Sequence, residues 1–494
     1  MSEVLLDLFA QAVSNQSKGN IPLAMDQVTS VLLEWPTFPA GWNTRGTMLK
    51  SAGHPFDAIL NYNRALELDP ASSDLWNNRG SALYDLGQIE KSIVDFQKSI
   101  EFSPQQPVPW SNIGAALCRL GRIEEAVEAY RSCIRAKPDY VDGHVGLAIA
   151  LLKLGHFEEG WEEFEWRWKG VQLRPRNFLL PVWDGKAAKS PDDGLLIYGE
   201  QGFGDDIQFM RYAPLAKSLG WHGKVYLEVR YPVVRLAQRL TGIDGILSLG
   251  DKLPGNLAGI DGVLALGEKP PSNIVTVAPL MSMPRLLWPH TSAIPGKCPY
   301  LRIDPDLVKY WGEKIEPLPD GLKVGLCWAG MRRDNDAGSV AIDSRRSMHL
   351  ADFAPLGMPG ISWVSLQMGL PAEEIKTDRP KSISPIGEWA CDIYDFYDTA
   401  ALIANLDLVI TVDTSVAHVA GAIGKPVWLL SRFDGCWRWL MDRTDSPWYP
   451  TMSIYNQKKP GDWVEVVERV KKDLDAVLNR RILGRLRPTL VASA

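Results

Sequence analysis

Apolar and polar positions follow two different rhythms along the 494 residues. In the N-terminal part the pattern repeats every 34 residues: Pro36, Pro70, Pro104 and Pro138 keep this interval, and so do Trp42, Trp76 and Trp110, with His144 next in step. Gly19, Gly53, Gly87, Gly121 and Gly155 share it, as do Gly46, Gly80 and Gly114, with Ala12 and Ala148 at the flanking equivalents. Each unit reads as a pair of helices. A Trp-x-x-x-Gly element opens the first helix, a glycine in the turn accepts positive φ, small residues (Ala58, Ser92, Ala126, Gly160) sit at the crossing, and proline ends the second helix. Five units fit over residues 3–168; the last has lost Trp and Pro and runs into GWEEFEWRWKG, which reads as a cap.

After residue 194 the rhythm changes. Apolar runs of strand length, LLIYGE (195–200), KVGLCWAG (323–330), ISWVSLQ (361–367), LDLVITVDT (406–414) and PVWLL (426–430), alternate with helical stretches such as IQFMRYAPLAKSLG and SVAHVAGAIG. The amphipathic stretch WVEVVERVKKDLDAVL closes the series. This alternation predicts parallel sheets with crossover helices. Between the two regimes, residues 171–194 are rich in Pro, Gly and charge and read as an ordered connector ending in an exposed turn. The expected organisation is a solenoid at 3–168, a linker at 169–194, a first α/β lobe at 195–305 and a second at 306–480.

Composition narrows the function. The formal net charge of −6, with no long basic run, argues against nucleic acid as the main partner. Six scattered cysteines form no CxxC pair, which suggests neither a zinc site nor a disulfide framework and fits a reducing, cytoplasmic setting. The opening MSEVLLDLFAQAVSNQ lacks a basic n-region, and no run of about 18 apolar residues exists, so neither a secretory signal nor an integral membrane protein is expected.

Two segments carry candidate chemistry. The first strand leads into Gly199-Glu200-Gln201-Gly202-Phe203-Gly204-Asp205-Asp206 and then a helix, a ligand-binding strand–turn–helix unit. Gly202 and Gly204 would let the backbone approach a donor phosphate. The spacing is G-x-x-G-x-G-D rather than G-x-G-x-x-G, and two carboxylates at the helix start would repel a pyrophosphate, so a dinucleotide site with Glu228 on the ribose is the weaker reading. Carboxylates at that mouth suit a general base. In the second segment, Asp413-Thr414-Ser415-Val416-Ala417-His418, hydroxyl residues stand where a helix begins. Exposed N–H groups and the helix dipole there would hold a diphosphate, with His418 one turn further on. Arg332 and Arg333, which follow the strand KVGLCWAG, could neutralise the same anion. Trp437, Arg438, Trp439 and the run Asp445–Tyr449 suit either stacking on a base or sugar, or packing between lobes.

The N-terminal units resemble the tetratricopeptide repeat, with Arg45 and Arg79 where Leu is usual. The implied superhelix has a concave face lined by the first helices. Asn78 and Asn112 stand at equivalent positions there; in O-GlcNAc transferase such asparagines form a ladder that grips acceptor protein, though Thr44 and Gly146 break the series here. The alternative is that these asparagines only cap or solvate their helices.

The 413–422 element resembles the D-[ST]-x-x-x-H-x-x-[AG]-A element of lipopolysaccharide heptosyltransferases. The whole of 195–465 resembles the transferase module of bacterial tetratricopeptide-repeat glycosyltransferases, which include flagellin-modifying enzymes. GEQGFGDDIQFMRY, CWAGMRRDNDAGSVAIDSRRS, SLQ, DTAALIANLDLVITVDTSVAHVAGAIGKPVW and WRWLMDRTDSPWYPT carry the likeness in order. Departures are Met331-Arg332 after WAG, where Asn-Pro is usual, and His349 where Pro is common.

The resemblance implies an α-solenoid plus an α/β GT-B fold of two Rossmann-like lobes, with the donor nucleotide in the C-terminal lobe. It implies Asp205 as the base, Arg346 at the position of a phosphate-side lysine, and Asp413, Thr414, Ser415 and His418 at the diphosphate. The expected activity is an inverting, metal-independent transfer of a sugar from a nucleotide-sugar substrate, without a cofactor, to a protein held in the solenoid groove. The rivals are a scaffold with an inactive nucleotide-binding domain and a nucleotide-sugar 2-epimerase.

Overall fold

The computed structural model describes residues 3–170, 176, 178–250, 262–264, 269–287, 294–295, 297–331, 337–384 and 386–486. It divides into two compact units, Met1–Arg174 and Pro175–Ala494.

The first unit is an N-terminal helical solenoid of five pairs. They are α1 (Glu3–Ser17) and α2 (Ile21–Glu34), α3 (Pro39–Ser51) and α4 (Pro55–Leu68), α5 (Ser73–Asp85) and α6 (Ile89–Phe102), α7 (Pro107–Arg119) and α8 (Ile123–Ala136), and α9 (Val141–Leu154) and α10 (Phe157–Phe164). The turn glycines 19, 53, 87, 121 and 155 all adopt left-handed backbone, with φ between +75° and +83°. The repeated Trp has a hydrogen-bonding task. Trp42, Trp76 and Trp110 donate their indole N–H to the carbonyls of Pro36, Pro70 and Pro104 at 2.8, 2.8 and 3.3 Å. His144 keeps the bond by other means, its Nε2 lying 2.9 Å from the Pro138 carbonyl. Its ring stacks on Trp166 at 3.7 Å. Trp166 belongs to the 3₁₀ turn Glu165–Lys169, which caps the last pair.

Where the two helices of a pair cross, an aromatic ring of the second lies against a glycine of the first. A Cβ on Gly46, Gly80 or Gly114 would fall 2.7, 2.7 or 2.6 Å from Tyr62, Phe96 or Tyr130. Tyr130 is wedged further by Gly146 of the next unit, whose Cβ would lie 2.2 Å from its ring. Gly114→Ala is therefore expected to destabilise the solenoid by about 1–3 kcal/mol through overpacking, read as a lower midpoint in denaturant. An unchanged midpoint would mean that α7 and α8 separate at no cost.

The second unit holds two wholly parallel sheets. The first is ordered β4-β3-β2-β1-β5, from β1 (Gly194–Tyr198), β2 (Lys224–Arg230), β3 (Gly245–Leu249), β4 (Gly262–Leu264) and β5 (Ile274–Pro279). Helices α11 (Phe203–Phe209), α12 (Val234–Ala237) and α13 (Met283–Leu287) accompany it. The second is ordered β11-β10-β9-β6-β7-β8, from β6 (Leu322–Cys327), β7 (Ile361–Ser365), β8 (Ile386–Gly387), β9 (Leu408–Val412), β10 (Val427–Ser431) and β11 (Met452–Asn456). Its helices are α14 (Pro305–Ile315), α15 (Ala337–Arg346), α16 (Glu374–Thr377), α17 (Phe396–Ala404), α18 (Ser415–Ala422) and α19 (Trp463–Leu486). β9 is buried at every residue, which explains why it is apolar at every position but Thr411: a parallel strand is covered on both faces. This is a Rossmann-like arrangement. Strand order reverses between β1 and β5 in one sheet and between β6 and β9 in the other, so each sheet has a crevice at the carboxyl ends of those strands.

Part of the stretch read as a connector is bonded to the edge of the first sheet. Val182 bridges Val277 of β5, the Trp183 N–H donates to the Val277 carbonyl at 2.8 Å, and the Trp183 ring is buried. The sheets are joined by specific bonds. Arg211 donates to the Trp448 carbonyl at 2.8 Å, Arg235 pairs with Asp398 at 3.0 Å, and the N–H groups of Tyr300 and Leu301 donate to the Ala422 carbonyl at the end of α18.

Candidate functional site

The loop after β1 enters α11 with two adjacent acids, and the fold gives them different work. Asp206 has 1% of its side chain exposed and accepts from Arg230 at 2.8 and 3.0 Å. Burial, opposed by Arg230, pushes its carboxyl up to about 7. A Cβ on Gly199 would lie 2.5 Å from its Oδ1, so Asp206 anchors the turn from beneath. Asp205 has 16% of its side chain exposed. Its Oδ2 accepts the Gly202 N–H at 2.7 Å, and its Oδ1 pairs with Arg438 from the other lobe. The N-terminus of α11 is thus capped by its own acid, and Gly204 serves close packing: a Cβ on it would sit 2.8 Å from Cδ2 of His418, whereas one on exposed Gly202 would meet only Asp205. Glu228 is fully buried in β2 and paired with Arg176; burial lifts its carboxyl to about 7. That burial removes it as a ribose ligand.

The second crevice, between β6 and β9, is differently furnished. Thr414 is the N-cap of α18, yet it makes no capping bond among the described residues. Its hydroxyl turns back to Thr411, 3.1 Å away, and toward the Cys327 sulfur. Ser415 follows as the first helical residue. The N–H groups of Ser415 and Val416 thus have no side-chain cap from Thr414, and the positive end of the helix dipole lies at this turn. Arg346, the last residue of α15, donates to the Asp413 carbonyl at 3.2 Å and pairs with Asp343 at 2.7 Å. A Cβ on Gly330 would fall 2.4 Å from its guanidinium, so glycine is what lets the arginine reach this place. The Nε atoms of Arg346 and Arg438 are both buried and find no partner among the described residues. A buried N–H left unsatisfied is costly, and an arriving oxyanion would relieve it.

His418 is buried in α18, with Nδ1 2.9 Å from the Tyr449 hydroxyl and its ring stacked on Trp439 at 5.3 Å. Burial first, then Arg438 and Arg211, hold its pKa well below the usual histidine range, so the imidazole is neutral. It can offer a hydrogen bond but no charge. Trp437, Trp439, Trp448 and Tyr449 are also buried; Phe209 of α11 meets Trp448 at 5.7 Å and Trp437 at 6.3 Å. Of the two readings of this aromatic run, packing between lobes is the one the structure displays. Arg332 and Arg333 lie outside the described residues.

Other contributors were not singled out from sequence. Gln367 accepts the N–H groups of Trp328 and Ala329 at 3.0 and 2.8 Å and donates to the carbonyls of Ala329 and Met368, tying the loop after β6 to the loop after β7. Arg438 stood in the sequence within an aromatic run, but its pairing with an acid 233 positions away left no local signal.

On the solenoid, Asn78 and Asn112 lie on α5 and α7. Each donates its side-chain N–H to the asparagine of the preceding unit, Asn78 to Asn43 at 3.0 Å and Asn112 to Asn77 at 2.9 Å. They form stitches between repeats, each with an amide oxygen that these bonds leave unused. Arg79 has a definite role: it grips Asp95 of α6 at 2.7 and 2.8 Å and Asn63 of α4 at 2.8 Å. Among the described residues, no three His, Cys, Asp or Glu side chains are grouped to hold a metal ion, and no helix is long and apolar enough to cross a membrane.

Comparison with known proteins follows the same division. The tetratricopeptide repeat matches at residues 57–87, 80–121 and 114–155. Glycosyltransferase family 9 (heptosyltransferase) matches at residues 393–430, which span α17, β9, α18 and most of β10. Protein FlbA of Caulobacter vibrioides is 28% identical over 321 residues, covering 63% of this chain and 51% of FlbA. The chain thus spans about half the length of that curated relative. Among solved structures, MamA is 22% identical with a TM-score of 0.30 and covers 32% of this chain and 92% of its own. PilF of Pseudomonas aeruginosa is 17% identical with a TM-score of 0.31, covering 33% and 76%. The chain thus joins tandem tetratricopeptide repeats to a segment similar to glycosyltransferase family 9.

Proposed function

We propose that the chain transfers a sugar from a nucleotide-activated donor to a hydroxyl of a protein recruited by the solenoid. One observation carries this reading. The start of α18, without a side-chain cap, lies at the reversal point of a parallel sheet, beside two guanidinium groups whose Nε–H finds no partner among the described residues, and Asp205 meets one of them across the lobe junction. In the reaction, Asp205 takes the proton of the acceptor hydroxyl as its oxygen bonds to the anomeric carbon. The bond from that carbon to the donor phosphate breaks, and its electron pair leaves on the diphosphate. The N–H groups of Ser415 and Val416, with Arg346 and Arg438, stabilise that charge, and His418 contributes a neutral hydrogen bond. Preorganised donors of this kind are among the largest contributors to catalysis. Attack opposite the leaving group inverts the anomeric centre. In the solenoid, the amide oxygens of Asn78 and Asn112 offer acceptors to an extended peptide backbone.

The test has two steps. UDP, GDP, CDP and ADP are titrated into the full chain by calorimetry, and candidate acceptor proteins are then incubated with the matching sugar nucleotides and weighed by mass spectrometry. Binding of one nucleoside diphosphate and a glycosyl mass increment are expected. Absence of any nucleotide binding would sink the reading; binding without transfer to any acceptor would favour an inactive scaffold.

A further inference from the structure

Arg438 stands between two possible partners. Its side chain is 12% exposed, and its Nη2 donates to Oδ1 of Asp205. Its Nη1 is placed on the Cys436 sulfur at 3.0 Å, a weak acceptor, and its Nε has no partner among the described residues. Burial works against its charge; Asp205, Cys436 and Asp413 work for it. The guanidinium therefore feels both the first-lobe acid and the residue that precedes the uncapped start of α18. Asp205, for its part, has Oδ2 fixed by the Gly202 N–H of its own turn. Its other oxygen, Oδ1, is the one that Arg438 covers.

We propose that Arg438 exchanges partners: it holds the Asp205 carboxylate, and an incoming diphosphate draws its guanidinium away and releases Asp205. The inference rests on the reading of α18 as a diphosphate site and of Asp205 as the base. A diphosphate brings more negative charge than one carboxylate and offers paired oxygens to the guanidinium fork. It would also reach the Nε that Asp205 leaves unsatisfied. The base is then uncovered only when the donor is in place, so acceptor activation follows donor occupancy.

Inorganic pyrophosphate serves as the probe, titrated by calorimetry into the full chain, Asp205→Asn, Arg438→Gln and the double variant. Removing the Asp205 charge ends a competition for one charge-assisted hydrogen bond, so Asp205→Asn should bind pyrophosphate about five- to tenfold more tightly. Arg438→Gln should bind it about tenfold more weakly or worse, and adding Asp205→Asn to it should change nothing further. Tightening by Asp205→Asn that persists undiminished with Gln at 438 would be simple relief of repulsion and would overturn the exchange. Native affinity in Arg438→Gln would overturn it too, while leaving the diphosphate site standing. No binding of pyrophosphate by the native chain would remove both. A measurement on the native chain is independent of how the variants fold: coupling of Asp205 to an amine by a water-soluble carbodiimide, read by peptide mass. Saturating pyrophosphate should raise it, and a fall would contradict release.

Discussion

Asp205→Asn is expected to lower sugar transfer by about 10²- to 10⁴-fold without weakening nucleoside diphosphate binding. Asparagine keeps the size of the side chain and can still accept the Gly202 N–H, so the first turn of α11 should remain capped. It cannot take the proton of an acceptor hydroxyl. The neighbouring acid provides the control. Asp206→Asn disturbs a buried pair with Arg230 beneath the turn, and its effect should fall on stability. If Asp205→Asn is folded and transfers sugar at a rate near the native one, Asp205 is not the base. If Asp206→Asn is folded at native stability and inactive, the two roles are exchanged.

A chain beginning at Pro175 is expected to bind nucleoside diphosphate with native affinity and to lose detectable modification of a protein acceptor. The α/β unit has cores of its own. One is formed by β6, β7, β9 and α19, including Val324, Trp363, Ile410 and Leu474, and another by Phe178, Leu196, Leu247 and Val277 under the first sheet. Every residue invoked for donor binding or proton transfer lies after position 175, and the connector from Arg176 is tied to Glu228 and β5. What the shortened chain lacks is the repeat surface, with Asn78 and Asn112, proposed to recruit the acceptor. The measurement pairs calorimetry with the mass of the treated acceptor. Full-rate modification by the shortened chain would assign the solenoid another task, and loss of nucleotide binding would show that the α/β unit needs the repeats to fold.

The sequence by itself determined the elements. A helical hairpin repeats every 34 residues because its turn glycine, its crossing glycine and its clamping Trp must recur at fixed places. His144 was recognisable as the next position in step, although only the structure reveals that its imidazole makes the indole's bond. Strands buried on both faces wrote themselves as continuous apolar runs, and the hydroxyl pair before Val416 marked a helix start. These are local consequences of backbone geometry and survive in one dimension.

Tertiary structure decided the partnerships. Nothing in Asp205-Asp206 states which acid lies under the turn and which points to the junction; helix phase against β2 and its Arg230 settles that. Arg79, legible only as a departure from the usual leucine, became a clamp once Asp95 and Asn63 were beside it. Trp437, Trp439 and Trp448 read equally as stacking platforms or packing, until the lobes closed over them. Arg438 meets Asp205 from 233 positions away because two separate sheets bring their carboxyl ends to one junction. Periodicity encodes which face of an element is buried, but which charge meets which depends on how distant elements dock, and that is settled only in the folded chain.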